Sequence, residues 1–183
     1  PEVVKDDSIY DCASITKSVP TALLALKLID AGEISLDDHV SRYLEGYQQE
    51  SAPQVLVKHL LTHTVDYRFS LASWKDALPI EIVEKLFIHK FQLPPGETFC
   101  YCNASSIILG MLLEKVYGAR LEDVAQREIF DPLEMNESGF LPLDRFDKNR
   151  IVPSEDDPWR GRIIQGEVHD ESAARLRELF VAG

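Results

Sequence analysis

The segment Asp11-Cys12-Ala13-Ser14-Ile15-Thr16-Lys17 leads into the longest apolar run of the chain, an almost unbroken series over residues 22–29. Such a run predicts a buried helix, and Gly32 stands where a helix C-terminus commonly takes a left-handed residue. We therefore expect a helix over residues 14–31. Pro20 should kink this helix or separate its first turn from the rest.

Ser14 and Lys17 are three residues apart, so on a helix their side chains share one face and can touch. A serine hydroxyl is a weak nucleophile until a base takes its proton, and an uncharged lysine amine can be that base. Burial against the apolar run and the positive potential of a helix N-terminus both favour an uncharged amine. The pair is a candidate nucleophile and base; the alternative is a helix-capping Ser14 beside a solvated Lys17.

The composition is that of one globular domain, with 183 residues of which 45% are hydrophobic and 27% charged. The net charge of −12 argues against nucleic acid or an anionic membrane as a partner, because both attract clustered basic residues. No apolar run approaches the ~18 residues of a membrane-spanning helix. The polar first residues do not resemble a signal peptide, and the missing initiator methionine suggests a processed or trimmed chain.

The three cysteines, Cys12, Cys100 and Cys102, are odd in number and do not indicate a disulfide scaffold. All three lie close in sequence to the candidate catalytic residues, so a shared metal site is conceivable. The alternative role is that of small, buried apolar side chains.

The apolar periodicity predicts an α+β protein that is predominantly α, in a single partial domain over residues 1–183. Helices occupy about residues 14–135, and residues 136–183 form a loop-rich tail with short strands. A polar loop is predicted over residues 48–54. Besides residues 14–31, helices are predicted over residues 36–44, 55–62, 80–90, 103–117, 121–130 and 171–180.

A second group of candidate residues, Tyr101-Cys102-Asn103, precedes the predicted helix over residues 103–117. Side chains two apart in an extended segment point to the same side. Tyr101 could then relay a proton, and Asn103 could hold a substrate amide or carbonyl. The alternative is a tyrosine packed at the helix start, with Asn103 as the N-cap.

Five motifs occur along the chain. In order they are Ser14-x-x-Lys17, Leu60-Leu61-Thr62-His63-Thr64, Pro95-Gly96-Glu97, Tyr101-x-Asn103 and Gly166-Glu167-Val168-His169-Asp170. The series resembles the serine β-lactamase and penicillin-binding protein superfamily, specifically its class C-like branch with esterases and D-aminopeptidases. The resemblance covers about residues 8–140, and the last motif is similar to a stretch of one β-lactamase-related subgroup.

The resemblance implies the helical part of a β-lactamase/transpeptidase-like fold and a serine hydrolase that acts through an acyl-enzyme. Ser14 would be the acylated nucleophile, Lys17 its base, and Tyr101 the group that shares the proton and protonates the leaving group. Asn103 would hydrogen-bond the substrate's acyl side chain, and the Ser14 N–H would form half of an oxyanion hole. The implied substrate is a β-lactam, a D-amino-acid peptide or an ester, without a cofactor, and the implied location is periplasmic or extracellular.

Two departures from the family pattern affect these expectations. Val65-Asp66 stands where the family usually has Ser-Gly, which alters a turn near the site. The third family motif, Lys-Thr-Gly or His-x-Gly on a strand, has no counterpart, and the strands before the serine helix are absent. We therefore expect a fragment that lacks most of the antiparallel sheet and is inactive, or nearly so, by itself.

Two other functions are compatible with the sequence. One is a helical interaction module that keeps the family skeleton without its chemistry. The other is a zinc hydrolase, in which His59 and His63 share one helical face, although Leu60 stands where zinc peptidases carry a glutamate. Its further ligands would come from Asp66, or from His169 and Asp170.

Overall fold

A computed structural model describes residues 4–47, 55–177 and 179. The loop predicted over residues 48–54 lies outside these ranges. In the described chain the helices are α1 (Leu23–Asp30), α2 (Val57–Leu61), α3 (Pro79–Phe87), α4 (Asn103–Tyr117), α5 (Leu121–Ala125), α6 (Pro142–Arg145) and α7 (Glu171–Leu176), the strands are β1 (Glu155–Asp157) and β2 (Arg162–Ile164), and short 3₁₀ turns form at Val40–Arg42, Leu71–Trp74 and Lys148–Arg150.

The predicted fold class, α+β with helix predominating, is confirmed. β1 and β2 form an antiparallel pair in which Glu155 lies opposite Ile164, and this pair is the whole sheet content of the described residues. Both strands lie in the loop-rich tail, as expected. Within the described ranges no helix combines the length and the hydropathy needed to cross a membrane.

The core is built around α4, which is apolar on most of its surface. Ile108, Leu112 and Leu113 are fully buried, and α4 packs against α2, α5 and residues 17–22. Gly118 ends the helix in the left-handed conformation (φ 65°), which glycine adopts without steric cost. α4 therefore has the predicted bounds, and it places Asn103 in its first turn.

The helix predicted over residues 14–31 is interrupted at Pro20. Val19 has a non-helical backbone (φ −126°, ψ 110°), residues 17–22 form a wide π-type turn, and regular α-helix begins only at α1. Proline lacks an N–H, and its ring prevents regular helix on its N-terminal side. The expected separation of the first turn is confirmed, and Gly32 follows the end of α1 with φ 73°.

The helix predicted over residues 36–44 is wrong. Only Val40–Arg42 form a helical turn. His39 instead forms an antiparallel bridge with Leu56, and backbone hydrogen bonds on both sides of this bridge join the two segments. Long-range pairing satisfies backbone groups that a local helix would otherwise have used, so it overrides the amphipathic pattern.

The helix predicted over residues 80–90 begins one residue earlier and ends three residues earlier, and its buried face is rotated. The apolar pattern places Ile80, Val83, Leu86 and Phe87 on one face. In the structure, however, Ile80 is 52% exposed, whereas Ile82 is fully buried. These two positions differ by about 200° around a helix. Periodicity alone therefore located the helix but not the direction of its neighbours.

The other helices agree with the predictions to within a few residues. α2 falls inside the range 55–62, and α5 continues as a π-type turn over Gln126–Phe130, which confirms the helix over residues 121–130. α7 covers the first six residues of the range 171–180. Residues 178 and 180 of that range lie outside the described chain.

Two leucines of α1 provide a matched test of the core. Leu24 is fully buried, whereas Leu26 is 52% exposed. Leu24→Ala should lower the free energy of unfolding by about 2–5 kcal/mol, since it removes buried surface and leaves a cavity. Leu26→Ala should lower it by less than about 1 kcal/mol. Urea unfolding of both variants measures the difference, and equal losses would contradict the packing of α1.

Candidate active site

Ser14 lies in a tight turn before the interrupted helix. Three consecutive N–H groups, those of residues 15–17, donate to the carbonyls three residues earlier at 3.0–3.1 Å. Ala13 has φ 45°, a conformation that residues with a Cβ rarely adopt. The carboxylate of Asp11 accepts the Ala13 N–H at 2.7 Å. These bonds hold the turn so that the Ser14 side chain is exposed at the surface.

The structure brings Ser14 and Lys17 into contact. The Lys17 Nζ donates to the Ser14 Oγ at 2.9 Å, and the lysine side chain is partly buried. The spacing of three residues produces this contact although the segment is a tight turn followed by a π-type turn. The amine and the hydroxyl are therefore within proton-transfer distance.

Tyr101 contacts this pair through its ring. The Lys17 Nζ lies over the ring, 5.6 Å from its centroid, within the range of a cation–π contact. The ring of His63 lies against Tyr101 with a centroid separation of 4.8 Å. Tyr101 is 55% exposed, so the tyrosine is a neighbour of the amine at the open side of the site.

Asn103 is the first residue of α4, and Cys102 occupies the N-cap position without a side-chain capping bond. The alternative role of Asn103 as an N-cap is therefore wrong. Its Nδ2 donates to the Oδ2 of Asp170 at 2.8 Å. The residue that was expected to hold substrate is thus itself held by a carboxylate from the tail.

Two cavities meet at Asn103 and Asp170. One, of about 410 Å³, is lined by Ser14, Lys17, Asn103 and Asp170 among others. The second, of about 480 Å³, is lined by Tyr101 together with the same asparagine and aspartate. The predicted nucleophile, base and binding residue therefore share one cavity, and the tyrosine opens onto the neighbouring one.

The turn that carries Ser14 is also tied to the tail. The Nδ1 of His169 lies 2.9 Å from the Oδ2 of Asp11, the carboxylate that accepts the Ala13 N–H. His169 and Asp170 were predicted as possible zinc ligands, whereas the structure places them in contact with the segments that carry Ser14 and Asn103. The motif at residues 166–170 was the available signal, but the contacts span 158 and 67 residues.

The helical face assumed for a zinc pair does not exist. α2 ends at Leu61, and His63 has φ 53°, so the two histidines are not one helical turn apart. The Nδ1 of His59 accepts a hydrogen bond from the Leu56 N–H at 3.2 Å. Over residues 4–47, 55–177 and 179, no group of three or more His, Cys, Asp or Glu side chains is placed to hold a metal ion.

The cysteines are free thiols. Cys12 is exposed, so its expected role as a buried apolar residue is wrong. Cys100 and Cys102 are partly buried, and burial raises the pKa of the Cys100 thiol. The only strongly exposed thiol of the three is thus the one closest in sequence to Ser14.

Asp66 shapes the turn in which the chain departs from the family pattern. It is 4% exposed, and its Oδ2 accepts the N–H groups of Gln92 and Leu93 at 3.0 and 3.1 Å. Its Oδ1 lies 2.7 Å from the Arg68 Nε. The aspartate that this chain carries in place of the family's usual residue therefore holds a neighbouring loop and does not contribute a reacting atom.

Burial lowers the pKa of His63, and the positive charge of Lys17 lowers it further. Burial also lowers the pKa of His59, with Lys58 as a second cause. His63 is therefore uncharged at neutral pH. It adds an aromatic face beside Tyr101 without placing a second positive charge near Lys17.

Comparison with known proteins tests the resemblance. The family model described as Beta-lactamase matches residues 2–175. The chain belongs to the Beta-lactamase family. The predicted membership is confirmed. Because this family contains serine hydrolases, hydrolysis is supported as an activity at the level of the family.

Two curated relatives show the breadth of this family. Penicillin-binding protein 4 of Amycolatopsis lactamdurans is 32% identical over 146 residues, which cover 76% of this chain and 38% of that protein. Lovastatin esterase of Penicillium rubens is 30% identical over 192 residues, covering 88% of this chain and 47% of the relative. The chain therefore spans less than half the length of these relatives.

A solved structure confirms the fold. The penicillin-binding protein from Bacillus halodurans superposes with a TM-score of 0.71 and 27% identity, covering 88% of this chain and 51% of that one. Since the matched half is largely helical, the chain has the helical part of the β-lactamase fold, as expected from the motifs.

The lowered pKa of His63 predicts acid sensitivity. The unfolded chain, with a histidine pKa of about 6.5, binds more protons than the folded chain below that pH, so stability should fall as pH drops from about 7 to about 5. His63→Asn removes this imidazole, and asparagine tolerates a positive φ. Thermal unfolding across this range should give a shallower loss of Tm in the variant than in the wild type.

His59→Gln provides the matched variant, because the pKa of His59 is also lowered by burial. The double variant should have a shallower pH dependence than either single variant. A double variant that keeps the wild-type dependence would contradict the assigned protonation states.

Proposed function

We propose that the protein is a serine hydrolase in which Ser14 is the acylated nucleophile and Lys17 its base. The observation that carries the proposal is the 2.9 Å contact between the Lys17 Nζ and the Ser14 Oγ. This contact faces a cavity of about 410 Å³, large enough for a small acyl compound. Family membership supports the same chemistry independently.

In the proposed reaction, the Lys17 amine takes the hydroxyl proton as the Ser14 Oγ bonds to the acyl carbon. The bond to the leaving nitrogen or oxygen then breaks, and that atom receives the proton. Water attacks the resulting ester, its proton returns to the Ser14 Oγ, and the acid is released. Tyr101 lies beside the amine, with the Lys17 Nζ 5.6 Å from its ring centroid, and family membership supports its phenol as the group that protonates the leaving group.

The developing oxyanion needs donors at the acyl carbonyl. The backbone N–H of Ser14 is the proposed first donor, because the turn places it beside the nucleophile. A second donor would belong to the family's third motif, which residues 1–183 do not contain. We therefore propose that these residues alone hydrolyse substrate poorly or not at all.

The substrate class is proposed from the site and from the relatives. A penicillin-binding protein and a lovastatin esterase among the relatives support an amide, a β-lactam or an ester as the acyl donor. Asn103 lies in the same cavity as Ser14 and is the proposed contact for the acyl side chain. No step requires a cofactor.

The test is hydrolysis of nitrocefin and p-nitrophenyl butyrate by the full-length protein that contains these residues. Ser14→Ala should lower kcat by at least about 10³-fold, as removal of a nucleophile commonly does. Lys17→Arg should cause a comparable loss, since a guanidinium stays protonated. Ser18→Ala changes an exposed serine of the same segment and should keep the wild-type rate.

Circular dichroism of each variant establishes that the fold is retained. Retention of hydrolysis in a folded Ser14→Ala variant would contradict the nucleophile assignment. Absence of turnover and of acylation in the wild-type protein would favour the alternative, an interaction module that has kept only the family skeleton.

A further inference from the structure

We infer that Asp170 is a positioning residue that fixes the side-chain amide of Asn103 and so decides which acyl groups the site accepts. The inference rests on the proposed function of Ser14 and Lys17. It assigns a role to the motif at residues 166–170, which the catalytic proposal leaves unused.

The chemistry of the two side chains determines how the Asn103 amide is turned. An ionised carboxylate only accepts hydrogen bonds, whereas an amide has an NH₂ that donates and a carbonyl that accepts. The 2.8 Å contact therefore joins the Asn103 Nδ2 to the Asp170 Oδ2. The carbonyl Oδ1 and the second N–H of Asn103 are left for other partners.

Asp170 cannot readily turn to follow Asn103, because its other oxygen is already engaged. The Oδ1 accepts the Ala173 N–H at 2.8 Å, at the start of α7, and also the Ser172 hydroxyl. Capping of α7 requires only one carboxylate oxygen. The second oxygen is aimed at the active-site asparagine.

The backbone that carries Asp170 is held by hydrogen bonds from Arg160. The Arg160 guanidinium donates to the carbonyls of Val168 and His169 at 3.1 and 3.4 Å. It also forms an ion pair with Asp157 at 2.6 Å, where the carboxylate is 2% exposed. Because a planar guanidinium offers several donors in a fixed arrangement, it holds this segment against the β1–β2 turn.

The segment that contains Asp170 also contacts the turn that carries Ser14. His169 is next to Asp170 in sequence, and it contacts Asp11, which accepts a hydrogen bond within the turn of Ser14. Residues 169 and 170 thus connect the two sides of the cavity. The orientation of the Asn103 amide is set by the element that also supports the reacting hydroxyl.

The oriented amide favours a particular acyl group. Asn103 and Asp170 line both cavities. Among the described residues the Oδ1 and the second N–H of Asn103 have no recorded hydrogen-bond partner, so they are available where the acyl side chain would lie. An acylamino group beside the reactive carbonyl has an N–H for this Oδ1 and a carbonyl for this N–H. A simple acetyl group has neither.

The test compares two esters with one leaving group, N-acetylglycine p-nitrophenyl ester and p-nitrophenyl acetate, in the full-length protein. Asp170→Asn keeps an acceptor for the Ala173 N–H, but the new side-chain NH₂ would face the NH₂ of Asn103. The amide of Asn103 would therefore rotate by about 180° or lose its hydrogen bond to residue 170. The kcat/KM for the acylamino ester divided by the kcat/KM for p-nitrophenyl acetate should fall by about tenfold, mainly because KM of the acylamino ester rises.

Asp147→Asn is the matched control. Asp147 also accepts a backbone N–H at a helical turn, that of Asn149 at 2.9 Å, but it does not line either cavity. This variant should keep the wild-type ratio. A role of Asp170 limited to stability would change both esters by the same factor, and an unchanged ratio in Asp170→Asn would overturn the inference.

A second measurement does not require turnover. The side-chain NH₂ signals of Asn103, assigned by their loss in Asn103→Asp, should exchange with solvent about tenfold faster in Asp170→Asn than in the wild type. Equal exchange rates would overturn the inference. A wild-type protein that hydrolyses neither these esters nor nitrocefin but shows the expected exchange would contradict the proposed function while leaving the hydrogen bond established.

Discussion

The contact between the Lys17 amine and the Ser14 hydroxyl is the interaction on which the site depends, and it forms within the tight turn of residues 11–17. A regular helix continuing through residue 20 is sterically excluded by the proline. The chain instead makes consecutive short turns, with Asp11 accepting the Ala13 N–H. An exposed hydroxyl and a partly buried amine are thereby held 2.9 Å apart.

This local arrangement becomes a site through contacts that are distant in sequence. The buried face of α4 packs against residues 17–22, which brings Tyr101 and Asn103 to the same side of the molecule as Ser14. The tail then links the two parts through His169 and Asp170. Hydrophobic packing provides the placement of the segments, and a few hydrogen bonds set the orientation of individual groups.

Much of this arrangement was predictable because it follows from local rules. Gly118 and the apolar residues before it define α4, and Pro20 forecasts the interruption before α1. The helix predicted over residues 36–44 was wrong because pairing between His39 and Leu56 is invisible to a local pattern. The zinc pair was wrong for a related reason, since the spacing of His59 and His63 does not reveal that α2 ends between them.

The residues that sequence reasoning missed act across the fold. Asp11 is one of 31 acidic residues, and Asp170 stands in a motif whose contacts lie 67 and 158 residues away in sequence. No local pattern shows that Asp170 contacts Asn103 or that Asp11 contacts His169. Only the three-dimensional contact assigns these roles. The motif order, by contrast, carried the family assignment without any knowledge of the contacts.

The central claim is most directly tested by locating the covalent bond that a β-lactam forms with the full-length protein. Trypsin should release residues 6–17 as one peptide, which contains both Ser14 and the exposed thiol of Cys12. After reaction with a fluorescent penicillin and an acid quench, fragment-ion mass spectrometry distinguishes the two positions. The account predicts the added mass on Ser14. An adduct on Cys12, or none on this peptide while the label is bound elsewhere, would contradict it.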